Sequence, residues 1–321
     1  MMEDEKQILE GVVPAVAAGQ RLDKVLAQVF PPYSRSQLQV WLEQGRITLA
    51  GTVPSRRQNV SGGEALRLEL PPPPESAWIA QPLPLTIVFA DADIAVIDKP
   101  AGLVVHPGAG NPGQTLANAV LHRYPEVAAL PRAGIVHRLD KDTSGLLVLA
   151  RSERARTALI RDLERRSVRR DYLAMVTGCP IAGGTIAAAV GRHPRHRLKM
   201  AVTDKGKSAL THYRVERRFR AHTLLRVSLE TGRTHQIRVH MAHIGFPLLG
   251  DPLYGGRLKM PPGATVDLTD QLRGFRRQAL HAQALALTHP VSGESLHWQS
   301  PLPTDFQDLI DILAADTVAE S

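Results

Sequence analysis

The chain has 321 residues, of which 43% are apolar and 22% charged, so it is long enough for two domains and excludes a disordered class. A formal charge of +8 and a pI near 9.9 favour a polyanionic partner, because phosphate neutralisation supplies most non-specific affinity for nucleic acid. No apolar run could cross a bilayer, and the acidic start MMEDEKQILE is unlike a secretory leader. The single cysteine, Cys179, excludes an internal disulfide and any multi-cysteine zinc site, so a reducing cytoplasm is expected.

Residues 1–18 carry no clear pattern and are expected to form a flexible tail. Leu22, Val25, Leu26 and Val29 recur at i, i+3, i+4 and i+7, an amphipathic helix that Pro31-Pro32 stops. Ser34 opens a second helix, with Gln37 completing a capping box and Gly45 at the C-cap. Its buried face is Leu38, Trp41 and Leu42. RITLAGTVP and ALRLEL then read as strands. Residues 19–75 thus make a compact basic module carrying Arg35, Arg46, Arg56 and Arg57. PPPPES, 71–76, is a stiff spacer that marks the boundary, with residues 76–84 as linker.

From residue 85 to 321 the texture changes to short apolar runs broken by Gly, Pro and Asp: LTIVFADADIAVIDKP, GLVVHPG, LLVLA, YLAMV, LLRVSLE and QALALTHP. They predict a mixed sheet with few helices, among them TLANAVLHRY and 152–166, in a second, α+β domain. Residues 257–277 look like a surface insertion. Between Arg151 and Arg170 there are eight arginines against three acids, a solvated helix face or a phosphate-binding one.

Several motifs fail on their chemistry. Gly108-Ala-Gly110-Asn-Pro-Gly113 matches a dinucleotide loop, but Pro112 removes an N–H from the phosphate cradle and no βαβ alternation surrounds it. His235, His240 and His243 lie close together, but no carboxylate completes a zinc set and the neighbouring arginines repel a cation. Ser144 lacks the earlier glycine of a nucleophile elbow.

HRLDKDTSGLLVLAR, 137–151, places five ionisable groups before a strand. Asp142, followed by Thr143, Ser144 and Gly145, reads as turn chemistry. Asp140 has no turn context and is a candidate catalytic carboxylate. An opposing guanidinium would keep such a group charged and aimed, and GRTHQIR offers two, Arg233 and Arg238.

HRLDKDTSGLLVLA resembles the HRLDxxTSG signature of the RluA family of pseudouridine synthases, and TGRTHQIRVH its second signature. DKPAGLVVHPG, LLGDPLYGG and RQALHAQALALTHPVSG are similar to other family segments, and residues 20–70 to an S4 RNA-binding domain. GRHPRHRLKMAV, THYRV and LGDPLYGG resemble the RluD branch most closely. The resemblance implies isomerisation of uridine in place: the C1′–N1 bond breaks, uracil turns, and C5 bonds to C1′, with neither cofactor nor metal. It implies that Asp140 attacks C1′ or takes a sugar proton, and that Arg233 forms its ion pair. Tyr172 would stack on the target base and Ile237 pack on the opposite side. His137, Arg138, Arg238, Arg35 and Arg46 would contact RNA. Asp171, between Arg170 and Tyr172, departs from many relatives. The implied substrate is large-subunit (23S) rRNA at the helix 69 stem-loop, free or in a pre-50S particle, acted on by a monomer. The alternatives are a synthase for tRNA or another rRNA site, a non-catalytic RNA-binding assembly factor, and a base-excising glycosylase.

Overall fold

The computed structural model describes residues 8–33, 35–55, 57–71, 78–108, 110–196 and 198–319. Ser34 with its capping box, Arg56, Ala109 and residues 72–76 of PPPPES lie outside the described residues.

The N-terminal unit is an antiparallel sheet of β1 (Ile8–Val12), β2 (Ile47–Leu49) and β3 (Ala65–Glu69), with β3 in the middle. It packs on α1 (Leu22–Val29) and α2 (Arg35–Glu43), and Leu22, Val25, Leu38, Trp41, Leu66 and Leu68 share its core. Gly45 ends α2 at φ +72°, as its C-cap place requires. The expected tail is partly wrong. Residues 8–12 pair along β3, and Val13 and Ala17 are buried.

The larger unit is a nine-stranded sheet. β4 (Thr86–Ala90) and β5 (Ile94–Lys99) form a hairpin, followed by α3 (Leu116–Arg123), β6 (Ser144–Ala150), α4 (Glu153–Glu164) and β7 (Arg169–Thr177). Then come β8 (Gly184–Ala187), a small separate ribbon of β9 (Val190–Arg192) and β10 (Met200–Val202), and β11 (Leu210–Arg218) and β12 (His222–Leu229). α5 (Gln236–His243), α6 (Val266–Gly274), β13 (Leu280–Thr288), β14 (Ser295–Gln299) and α7 (Thr304–Ala319) complete the chain. The order across the sheet is β4-β5-β6-β13-β7-β12-β11-β8, with β14 on β13. All pairings in it are antiparallel except β6 with β13. The fold is α+β.

Alternation along the central strands covers both faces. Leu147, Leu149, Tyr172, Ala174 and Val176 pack with α3 and α5, while Leu146, Val148, Leu173 and Met175 pack with α4, α6 and α7. Three expectations fail here. GLVVHPG is a loop whose Val104 and Val105 carbonyls accept from the first N–H groups of α3. Residues 78–84 are no free linker, since Asn118 donates to Ile79 O and the Trp78 ring packs obliquely against His106. The 257–277 segment contains α6, whose Leu268 and Leu272 are core residues against α7.

Gly145 sits at φ +108°, and a Cβ there would lie 2.3 Å from Ala282 O and 2.6 Å from its N. The glycine is what lets β6 enter beside β13 at the mouth of the cleft. Gly145→Ala is expected to destabilise the protein by at least about 2–3 kcal/mol, read from the urea midpoint. An unshifted midpoint would contradict this packing.

Candidate active site

Asp140 lies in the loop that precedes β6. Its own carbonyl accepts from Thr143 N at 3.1 Å, forming a tight turn. Lys99, fully buried at the end of β5, fastens this turn from below by donating to Pro100 O, Leu103 O and Lys141 O at 2.8–2.9 Å. Burial pushes the Lys99 pKa down to about 7, against the pull of Asp142 and Asp140. Asp142 contributes its carbonyl, which accepts from Arg277 Nη1; no cap by its side chain is seen among the described residues. Its expected turn-capping role is therefore not found.

The second wall is the N-terminus of α5. Gln236 sutures the TGRTHQ loop: it accepts from Arg233 N and Thr231 Oγ1 and donates to Leu210 O and Thr211 Oγ1. His235 caps the helix in the left-handed region at φ 56°, a strained place for a non-glycine residue.

The guanidinium that meets Asp140 is Arg238, not Arg233. Arg238 Nη1 donates to Asp140 Oδ2 at 3.0 Å, while its Nε and Nη2 fork onto Asp251 at 2.7 and 2.8 Å. Burial alone would lower the Arg238 pKa, but Asp251 and then Asp140 raise it above its ordinary value. Arg233 lies in the loop before the helix, exposed, with Nε on Ser208 O at 3.2 Å. The reason is helical phase: Arg238 stands in the first turn of α5, whose axis aims it at the Asp140 loop. Arg238 is also too occupied and too buried for the RNA-contact role expected of it.

Asp140 keeps 15% side-chain exposure. Its Oδ1 faces His235 Nε2 at 3.9 Å, beyond hydrogen-bond reach. His235 Nδ1 shares a 2.8 Å hydrogen bond with Tyr254 Oη, which itself accepts from Met200 N–H. Burial lowers the His235 pKa, with the Asp140 charge opposing it. His240 is engaged at both ring nitrogens, by Thr211 Oγ1 and Ala188 O.

These groups border an open cleft of about 510 Å³, lined by Arg132, Arg138, Arg166, Arg170, Arg233 and Arg238 against Asp140, Glu164 and Glu230. Tyr172 and Ile237 lie on its floor, both buried and in one hydrophobic cluster. Burial raises the Tyr172 pKa, so the phenol stays protonated. Asp171, the departure noted in the sequence, points to the opposite face of β7, held by Arg169 and Ser228, and does not touch the cleft. Arg138 is exposed at the rim.

His137 is not a cationic RNA contact. Its Nε2 accepts from Val148 N at 3.1 Å, and burial, with the Arg170 charge, pushes its pKa down to about 3. The unfolded chain takes that proton near 6.5, so the unfolded state binds more protons between these values. Stability is full above pH 6.5 and falls as pH drops toward 3. In His137→Gln, whose amide oxygen can still accept from Val148, the slope of unfolding free energy between these limits should be shallower by about 1.4 kcal/mol per pH unit. An unchanged slope would contradict a neutral His137.

In the N-terminal unit, Arg35 and Arg21 both pair with the buried Asp23, and the Arg35 hydrogen bond is the main cause of that carboxyl's lowered pKa. Arg35 remains half exposed; Arg46 lies 4.0 Å from Glu69. The sequence reading missed Asp251, Tyr254, Gln236 and Lys99. LLGDPLYGG entered only as a family-like segment; in the fold Asp251 Oδ1 accepts from Leu253 N and Tyr254 N, an Asx turn of the kind that a D-P pair signals.

A mixed sheet that presents an arginine-clamped carboxylate in a basic cleft, beside a small basic module, defines a nucleic-acid-modifying enzyme. The family model described as RNA pseudouridylate synthase matches residues 93–243, and the S4 domain model matches residues 20–64. A Xanthomonas campestris protein named ribosomal large subunit pseudouridine synthase D is 53% identical over 98% of this chain and 95% of its own. One of the same name from Pseudomonas aeruginosa is 55% identical over 96% of both chains. The solved human RNA pseudouridylate synthase domain containing 4 aligns with a TM-score of 0.56 at 25% identity, over 71% of this chain and 93% of that one. The chain belongs to the RNA pseudouridylate synthase family and is an RNA pseudouridine synthase.

Proposed function

We propose that this enzyme converts uridine to pseudouridine in large-subunit ribosomal RNA, with Asp140 as its catalytic carboxylate. The observation that carries the catalytic assignment is the Arg238–Asp140 pair at the cleft floor. One carboxylate oxygen is held by the guanidinium and the other is free to meet the ribose, whether Asp140 attacks C1′ or removes a sugar proton. Both routes need a carboxylate fixed in position, and the clamp holds Asp140 in one orientation. Tyr172 and Ile237 would take the base after the uridine is extruded, a step that costs a few kcal/mol in RNA. Arg138 at the rim, with Arg35 and Arg46 of the S4 unit, would help offset that cost through phosphate contacts.

The relatives named for the ribosomal large subunit, matched along nearly the whole chain, support rRNA as the substrate. The proposed acting form is a monomer. Among the described residues no helix is long and apolar enough to cross a membrane, and the proposed place of action is the cytoplasm, on free rRNA or an assembling subunit. The test is a pseudouridine map of rRNA and tRNA from cells with and without the gene. Loss of sites in large-subunit rRNA, first sought at the helix 69 stem-loop, is expected. Loss only in tRNA would move the substrate, and an unchanged map would remove the function.

A further inference from the structure

We propose that Arg170 is an anion subsite of the cleft, taking the phosphodiester that flanks the extruded uridine; this rests on the uridine reading above. Arg170 leaves β7 two residues before Tyr172, so both side chains stand on the same face and reach the cleft together. Arg170 and Arg238 are the two buried arginines of the described residues, 7% and 4% exposed. Among the described residues, Arg238 pairs with two carboxylates and Arg170 with none. Of the acids around it, Asp171 is held by Arg169 and Ser228 across the sheet and Glu230 by Arg166 and His212, while Glu164, exposed at the cleft, makes no ion pair with Arg170 among the described residues. Among the described residues, Arg170 Nε is buried without a hydrogen-bond partner, and Nη2 makes long contacts of 3.5 Å to Leu229 O and 3.4 Å to Glu230 O.

A desolvated guanidinium left in that condition is costly unless an anion completes it. Arg170 Nη1 rests against the GRTHQ loop, 3.0 Å from where a Cβ on Gly232 would stand. The complement is a phosphate rather than a uracil carbonyl, because only the phosphate brings a full negative charge in the two-oxygen geometry that a guanidinium matches.

The test uses a stem–loop of large-subunit rRNA that the wild-type enzyme modifies. Single methylphosphonates, which are neutral, replace each phosphate flanking the target uridine in turn. The attached ribose is 2′-O-methylated, as in the charged control. For the wild type, kcat/KM should fall on the order of 10- to 100-fold at one of the two positions. Arg170→Met should lose a similar factor on the charged RNA and nothing further on the neutral one, and its salt slope should drop by about one. Losses that multiply in the combination, or a wild type indifferent to both neutral phosphates, would overturn the proposal. So would an Arg170→Met defect that follows its thermal melting and not the charge of the RNA. A wild-type enzyme that modifies no large-subunit fragment would fail the uridine-site reading itself and take this subsite with it.

Discussion

Asp140→Asn is expected to abolish pseudouridine formation while the fold and RNA binding survive. The substitution keeps the shape of the side chain and an oxygen for Arg238 Nη1 to meet, so the loop fastened by Lys99 need not move. What disappears is the carboxylate oxygen that, under the proposed function, would meet the ribose. An amide neither attacks a sugar carbon nor accepts its proton, so turnover should fall on the order of 10⁴-fold or more, the scale seen when a reacting side chain is removed. Arg238 would retain Asp251, so it is not stranded without a counter-charge, and the cost in stability should be small. Single-turnover yield of pseudouridine, with RNA affinity measured in parallel, checks this. Activity within tenfold of wild type would end the assignment of Asp140, and loss of RNA binding would point to a binding role. The variant also separates this enzyme from an assembly factor, for which the change would be silent in every modification assay.

The parts of the molecule legible in the sequence are those where local periodicity and tertiary burial agree. α1 shows its stripe at Leu22, Val25 and Leu26, and β6 is a continuous apolar run because both of its faces are covered. α3 and α4 were visible for the same reason. Where a segment gains order only from a distant partner, the pattern was mute. β1 alternates weakly and owes its form to β3, more than fifty residues away. GLVVHPG has the composition of a strand, but its carbonyls serve the first turn of α3 instead of a neighbouring strand. α6 was hidden by the prolines, glycines and charges around it, though Thr265 and Leu268 already held a cap and a core position.

The site divides in the same way. Asp140 was legible through the HRLDxxTSG signature and not through its local context, since its own carbonyl closes a tight turn with Thr143. Its partner was not, because GRTHQIR contains two arginines and only the start of α5 decides which one faces the loop. His235, in the left-handed region, sets that start, and no spacing rule anticipates it. Asp251 was further out of reach, being thirteen residues beyond Arg238 and joined to it only in the folded chain. Asp171, which departs from many relatives, faces away from the cleft that Tyr172 borders. On a strand, neighbouring residues belong to opposite faces.

Arg238→Lys should be the second most damaging change at the site, and Arg233→Lys nearly harmless. Arg238 spends three nitrogens on two carboxylates that lie on different segments, Nη1 on Asp140 and the Nε/Nη2 fork on Asp251. A lysine ammonium is a point charge at the end of a flexible stem and cannot span both in fixed geometry. Held by Asp251, it would leave Asp140 unaimed; drawn to Asp140, it would leave the fully buried Asp251 without its counter-charge. The expected result is a kcat lower by about 10²–10³-fold, with a stability loss of about 3 kcal/mol. Asp251→Asn should reproduce much of the stability loss, because the amide nitrogen would point a donor at a donor. Its kcat defect should be smaller than that of Arg238→Lys, since the guanidinium and its bond to Asp140 remain. Arg233 keeps only a surface contact to Ser208 O, which a lysine can replace. Steady-state kinetics and urea unfolding of the three variants decide the matter together. A crippled Arg233→Lys beside an active Arg238→Lys would return the clamp to Arg233 and require α5 to start in a different phase from the one described.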